Sequence, residues 1–198
     1  RERVMQIVFL IAACISILAV ALICIYLFAN GLPAIFEIGP LNFLLGTDWR
    51  PNADHYGIFP MILGSIYVTA GAIIVGVPLG LLAAIFMAKF CPKPLYKFLK
   101  PAVDLLAGIP SIVYGFFGLM VVVPLMQQLF PNTSGKSILT ASVLLGIMIL
   151  PTIIGVSESA IRAVPDSYYE GALALGASHE RSVFFVTVPA AKSGIMAG

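Results

Sequence analysis

Apolar residues dominate four stretches of this chain: Val4 to Phe28, Ile58 to Phe90, about Ala102 to Phe130 and about Ile138 to Val164. A bilayer's hydrocarbon core is about 30 Å thick, and about 20 apolar residues of helix cross it. Each run is long enough, and none keeps the two-residue alternation of a half-buried strand. The pattern predicts membrane helices over 4–28, 58–90, 102–130 and 138–164. A polar segment over 165–189 follows, and a fifth membrane helix starts at 190–198. The expected fold is all-α: a polytopic membrane helix bundle making one transmembrane domain over 1–198. The first run exceeds a signal-peptide core and no small-x-small cleavage site follows it, so it reads as a retained helix.

Glycine and proline inside these runs sharpen the picture. Pro78, Pro110, Pro124 and Pro151 fall within them. Such residues are costly in a soluble helix, but in a membrane neighbouring helices satisfy the freed backbone groups. Gly64, Gly71, Gly76 and Gly80 offer small surfaces for close helix approach. Both features favour a packed bundle over isolated anchors.

Composition agrees. The chain is 60% hydrophobic and 10% charged, with mean hydropathy +1.04, whereas soluble domains carry about a quarter charged residues. A net charge of +2 gives no reason to expect nucleic acid as a partner. Cys14, Cys24 and Cys91 show neither CxxC nor metal spacing, and His55 and His179 read as ordinary polar surface residues. No metal site is expected.

The distribution of basic residues carries more than their sum. Arg1, Arg3, Lys89, Lys93, Lys97, Lys100, Arg162, Arg181 and Lys192 fall on one side of the predicted topology, and Arg50 and Lys136 on the other. The positive-inside rule then puts the N-terminus and the 165–189 segment in the cytoplasm. The loop from Gly31 to Gly57 faces outside, with Trp49 and Tyr56 suited to a membrane–water boundary. Residues 89–100, KFCPKPLYKFLK, form a basic amphipathic stretch: an inside loop, or one that docks on membrane lipid.

The polar segment holds the candidate chemistry. Pro165 stops the fourth run, and Asp166 is placed to cap a helix beginning near Ser167. Gly176 is a natural stop, and a second short helix is expected over about Ser178 to Val186, with Val183, Phe184 and Val186 turned to the bundle. The order is Glu170-Gly171-Ala172, then Gly176, then nine residues, then Val186-Thr187-Val188-Pro189. This resembles the cytoplasmic-loop motif of ABC importer permeases, Glu-Ala-Ala, three residues, Gly, nine residues, Ile-x-Leu-Pro. The departures are Gly171 for Ala and two Val for Ile and Leu. LLAGIPSIVYGFFGLMVVVP, Leu105 to Pro124, is similar to the third-helix signature of the phosphate-specific members, and the likeness runs over essentially the whole sequence.

That resemblance implies a permease subunit of an ATP-driven phosphate importer in the cell inner membrane. Its implied partners are a second permease, cytoplasmic ATPase subunits and an extracytoplasmic phosphate-binding protein. It also implies about two further membrane helices beyond Gly198, so the sequence is expected to be C-terminally incomplete. Glu170, Gly171, Ala172, Gly176 and Pro189 would make the ATPase-coupling loop. The chain has no Walker GxxxxGK[ST] and no nucleophile–base pairing. No cofactor and no enzymatic activity are expected, and ATP would be bound by the partner ATPase. Permeases for sulfate or molybdate, and a secondary transporter, are the alternatives. A secondary transporter should show inverted repeats, and no clear repeat is visible.

Four residues remain as candidates for the substrate path. Glu158 and Arg162, four apart with the acid first, suit an ion pair on one helix face. They read either as a helix-end pair or as a partly neutralised cation that binds phosphate transiently. Ser111 and Tyr114 beside Pro110 read as path-lining hydroxyls or as local repair of the kinked backbone. Asp104, after Pro101, is expected to cap the third run.

Overall fold

The computed structural model describes residues 2–197. It is helical almost throughout, and four helices are long and apolar enough to cross a membrane. The chain divides into two compact units, residues 1–63 and 64–198.

In the first unit α1 spans Glu2–Ile38 and buries no residue. It is apolar all round, which suits a helix surrounded by lipid. It outruns the expected end at Phe28, because nothing from Ala29 onward stops it until Gly39 turns left-handed at φ 89°. Pro33 sits inside it, removing a single donor near the helix end. A short α2, Pro40–Leu45, leads to a two-residue hairpin, β1 (Trp49–Arg50) against β2 (His55–Tyr56). Trp49 meets Tyr56 edge to face at 6.0 Å, the pairing a cross-strand aromatic couple prefers. The Ile58 amide donates to Phe43 and the Gly57 amide to Asp48, both at 2.9 Å, tying the loop back on itself.

In the second unit α3 (Phe59–Ile85, its first turn in the first unit) widens into a π-helical turn over Phe86–Phe90. The amphipathic α4 follows over Lys93–Ala107. Next come α5 (Ser111–Phe117), a second π turn (Gly118–Val122) and α6 (Val123–Leu129), one continuous crossing. The long α7 spans Ile138–Arg162. A helical hairpin of α8 (Asp166–Ala174) and α9 (His179–Ser182) comes next, then a third π turn (Val183–Thr187), α10 (Val188–Ala190) and α11 (Lys192–Ile195).

The expected third run from Ala102 to Phe130 is therefore two helices. Gly108 ends α4, and Pro110, extended at ψ 139°, starts α5. Proline pushes the residue before it out of the helical region, so the chain breaks at 108–110. Asp104 does not cap a helix: it lies inside α4, with its carboxylate 3.6 Å from the Lys100 ammonium one turn earlier.

The three π turns share one cause. The residue that closes each is Cys91, Val123 or Val188, and each donates to the carbonyl five residues back, Phe86, Gly118 or Val183. Each stands directly before a proline. A proline ring clashes with the carbonyl four residues earlier, and a turn widened by one residue moves that carbonyl aside. The second and third turns let a helix pass its proline without unravelling, and the first closes just ahead of Pro92, which opens α4.

The centre of this unit is α7, whose buried residues run from Thr140 to Ile161. Against α3 the seam is built on glycine. A methyl at Gly76 would sit 2.8 Å from Ile149 and 3.0 Å from the Gly146 carbonyl, and one at Gly80 would sit 2.7 Å from Ile153. Gly71 lies against Ser142 in the same seam, whereas Gly64 faces open space and takes no part in it. At one end, Ile85, Ile161, Val183 and Ala191 make a buried cluster joining α3, α7, the third π turn and the residue before α11.

Gly80→Val is expected to destabilise the folded protein by about 1–3 kcal/mol through overpacking, while Gly64→Ala leaves stability unchanged or slightly raised. Unfolding midpoints in a denaturing detergent titration compare the two.

Candidate functional site: a buried carboxylate and a helical hairpin

Glu158 points from α7 into the protein and is 2% exposed. A lone buried carboxylate is strongly disfavoured, and this one is fully partnered. Its Oε1 accepts from the Tyr96 hydroxyl at 2.7 Å and from Arg162 Nε at 2.6 Å, and its Oε2 accepts from Lys100 Nζ at 3.1 Å. The pair expected from the four-residue spacing is present, but it is half of the arrangement. The other half comes from α4, 58 and 62 residues away in the chain. Lysines and an aromatic at helical spacing in the amphipathic 89–100 stretch were the visible signal for it.

Arg162 does more than neutralise Glu158. Its Nη2 donates to the Met87 carbonyl at 2.8 Å, and its guanidinium stacks over the Tyr96 ring at 4.5 Å. The wide turn over 86–90 explains the first contact. In its register the donor to Met87 would be residue 92, a proline without an N–H. Arg162 supplies the donor that proline removes. On α4, burial pushes the Lys100 pKa down, but hydrogen bonding to Glu158 and the charges of Glu158 and Asp104 outweigh it and hold it above the usual lysine value. The Tyr96 hydroxyl's own hydrogen bond to Glu158, helped by burial, raises its phenol pKa.

Of the four expected path residues, Glu158 and Arg162 are brought together, and Ser111 and Tyr114 lie apart from them at the start of α5. Arg162 and Glu158 are committed to this cluster. The Tyr114 hydroxyl donates to the Leu106 carbonyl at 2.9 Å across the break between α4 and α5, repairing backbone, and Ser111 opens α5 at an exposed position.

The hairpin is ordered by its own chemistry. Asp166 is the first residue of α8 rather than its cap, where a carboxylate favours the helix dipole, and it pairs with Lys89 at 3.6 Å. At the other end Gly176 is left-handed at φ 86°. The Ala177 amide donates to Ala172 at 3.1 Å and the Gly176 amide to Leu173 at 2.9 Å, the two bonds of a Schellman ending. Ser178 then caps α9 by accepting from the Arg181 amide. Leu175 at the tip is 91% exposed. Glu170 is exposed on α8, and a side chain at Gly171 or Gly176 would meet open space. Pro189, also exposed, follows the third π turn.

The hairpin rests on the same 86–90 turn that Arg162 holds. His179 is no free surface residue: it packs edge to face on Phe90 at 4.7 Å, and its Nδ1 is 2.7 Å from the Tyr169 hydroxyl. Phe90 also meets Phe184 at 6.2 Å, and the Lys89 ammonium lies over the Tyr169 ring. Of the three residues expected to face the bundle, Val183 is fully buried, Val186 partly so, and Phe184 largely exposed.

A membrane helix bundle with a capped hairpin docked at one end is the architecture of a transporter's membrane component. Residues 76–198 match the family of binding-protein-dependent transport system inner membrane components, and the chain belongs to that family. It is 40% identical over 193 residues to a probable ABC transporter permease protein, YqgH, of Bacillus subtilis, covering 94% of this chain and 62% of the relative. It is 33% identical over 206 residues to the phosphate transport system permease protein PstC of Mesorhizobium japonicum, covering 94% and 63%. It is also 33% identical over 173 residues to a probable PstC of Methanocaldococcus jannaschii, covering 77% and 55%. The chain thus spans less than two thirds of the length of these relatives. No solved structure matches it significantly.

Gly176→Val forces a β-branched side chain into the left-handed region, at about 1–2 kcal/mol. The Ala177 amide should then exchange its hydrogen roughly tenfold faster, whereas Gly176→Asn should keep most of its protection. Hydrogen-exchange mass spectrometry of the hairpin peptide reads both.

Proposed function

We propose that this chain is the permease subunit of an ATP-driven phosphate importer, with its N-terminus and its 165–189 hairpin in the cytoplasm. The hairpin is the observation that carries this reading. It is a rigid, capped knob with an exposed apolar tip, Leu175, and glycines that leave its outer face low. Its residues keep the spacing of the permease coupling motif. Such a surface suits closure by a partner: small residues admit the opposing chain and one apolar side chain anchors it. The partner is a cytoplasmic ATPase, a reading the coupling-motif spacing supports and which suits residues 1–198, where no Walker GxxxxGK[ST] occurs. Glu170, exposed beside the tip, is a polar contact on that surface, and Gly171, Ala172 and Gly176 form its floor. Pro189 starts the return to the membrane.

The remaining partners are a second permease, which shares the translocation path, and an extracytoplasmic phosphate-binding protein on the side of the Trp49–Tyr56 loop. Phosphate as cargo is supported by the named activity of the PstC relatives. The chain itself moves substrate and catalyses no reaction. ATP hydrolysis belongs to the partner, and its closure swings the helices between outward and inward access.

Gly171 is helical and open-faced, so Gly171→Trp adds bulk without backbone strain. In the full-length permease this change should lower ATPase co-purification and labelled phosphate uptake at least tenfold, with membrane insertion unchanged. Uptake in the unaltered complex should resist a hundredfold excess of sulfate or molybdate. Labelling of residues 166–188 from the extracytoplasmic side would overturn the topology.

A further inference from the structure

Two sets of contacts converge on the five-residue turn Phe86–Phe90. On one side Arg162 donates to the Met87 carbonyl, and Arg162 is itself held by Glu158. On the other, Lys89 and Phe90 carry the hairpin through Asp166, Tyr169, His179 and Phe184. Glu158 continues the chain of contacts into α4 through Tyr96 and Lys100. Hairpin, turn, α7 and α4 are therefore joined in series by directional bonds.

We propose that Glu158, Tyr96, Lys100 and Arg162 are positioning residues that carry movement of the 165–189 hairpin into α4 and α7, with the Arg162–Met87 hydrogen bond as the joint. This rests on the reading of the hairpin as the ATPase-facing element.

Three features support it. The joint is placed where the backbone is least self-sufficient. The π turn cannot donate to Met87 from residue 92, so the turn's attachment to α7 is made by a side chain and not by the helix itself. Wide turns of this kind concentrate at functional sites, and here the Met87 carbonyl takes its donor from a side chain of α7. Next, the carboxylate is bound from two elements at once. Tyr96 and Lys100 hold it from α4 and Arg162 from α7, so the two helices resist separating at this point and move together. Finally, Arg162 Nε and Nη2 and the Lys100 ammonium already face a carboxylate or a carbonyl, so these donors are engaged within the protein. The charged and titratable groups around Glu158 are Tyr96, Lys100 and Asp104 from α4 and Arg162 from its own helix.

A pathway claim needs coupling evidence and not only adjacency. The full transporter, with both permeases and the ATPase, is reconstituted in liposomes with phosphate-binding protein. ATP hydrolysis and labelled phosphate uptake are measured on the same preparation. Lys100→Met and Tyr96→Phe leave Glu158 paired with Arg162 and are the principal variants, with Glu158→Gln as a third. The expected result is assembly and ATP hydrolysis within about twofold of the parent, phosphate imported per ATP down at least fivefold, and an unchanged phosphate concentration at half-maximal uptake. Lys100→Arg should restore the ratio. An unchanged ratio in Lys100→Met and Tyr96→Phe overturns the proposal, as does a parallel fall of hydrolysis and uptake. A raised half-saturating phosphate concentration would overturn it in favour of a substrate-binding role. If the parent complex shows no ATP-driven phosphate uptake, the functional reading fails first, and the inference with it.

Discussion

In a bilayer every backbone polar group needs a partner from the protein, because no water is there to supply one. This chain meets that demand while carrying 14 prolines. Its helices respond in two ways. At two prolines the preceding turn widens by one residue, at Gly118–Val122 and Val183–Thr187, while Pro33, Pro78, Pro101 and Pro151 stand inside α-helix without such a turn. Where a proline cannot donate, a side chain adds a donor: Arg162 serves the Met87 carbonyl, and Tyr114 joins the Ile109 amide on that of Leu106. The path of the chain, and the attachment of the hairpin to the bundle, follow from where the prolines fall.

The same demand explains why a carboxylate is tolerated near the C-terminal end of α7. Glu158 holds Arg162 in place to serve a carbonyl, and Lys100 and Tyr96 complete its coordination from α4. A buried ion pair adds little net stability over an apolar equivalent, but it fixes geometry. Apolar packing at the α3–α7 seam, by contrast, is set by glycines and gives closeness without direction. The two kinds of contact divide the work: the seam holds the bundle together, and the cluster fixes the relative setting of α4, α7 and the 86–90 turn.

That the chain carries four crossing helices was legible in the sequence because apolar length is a local property. The tight bend at residue 176 is likewise a local matter, a glycine ahead of Ala-Ser where the chain goes left-handed. What escaped reading is non-local or is a balance between neighbours. The second half of α4 merged into the third apolar run because Ala102, Val103, Leu105 and Leu106 are apolar, and only the Gly108–Pro110 break separates it. The π turns leave no residue-type signature apart from the proline that follows each. Glu158 and Arg162 suggested a pair by their spacing, yet nothing in the spacing names Tyr96, Lys100 or Met87. Gly64 looked like its neighbours Gly71, Gly76 and Gly80, and only the facing helix distinguishes them. His179 was read as surface because its partners, Phe90 and Tyr169, come from other elements.

The hairpin of the first unit has a practical consequence. Trp49 is the single tryptophan of the sequence, and it stands against Tyr56 on a two-strand ribbon closed by left-handed Asp54. Within residues 1–198, emission excited at the red edge of the absorption band therefore originates from this ribbon, and it will register docking, quenching or dewetting there without labelling.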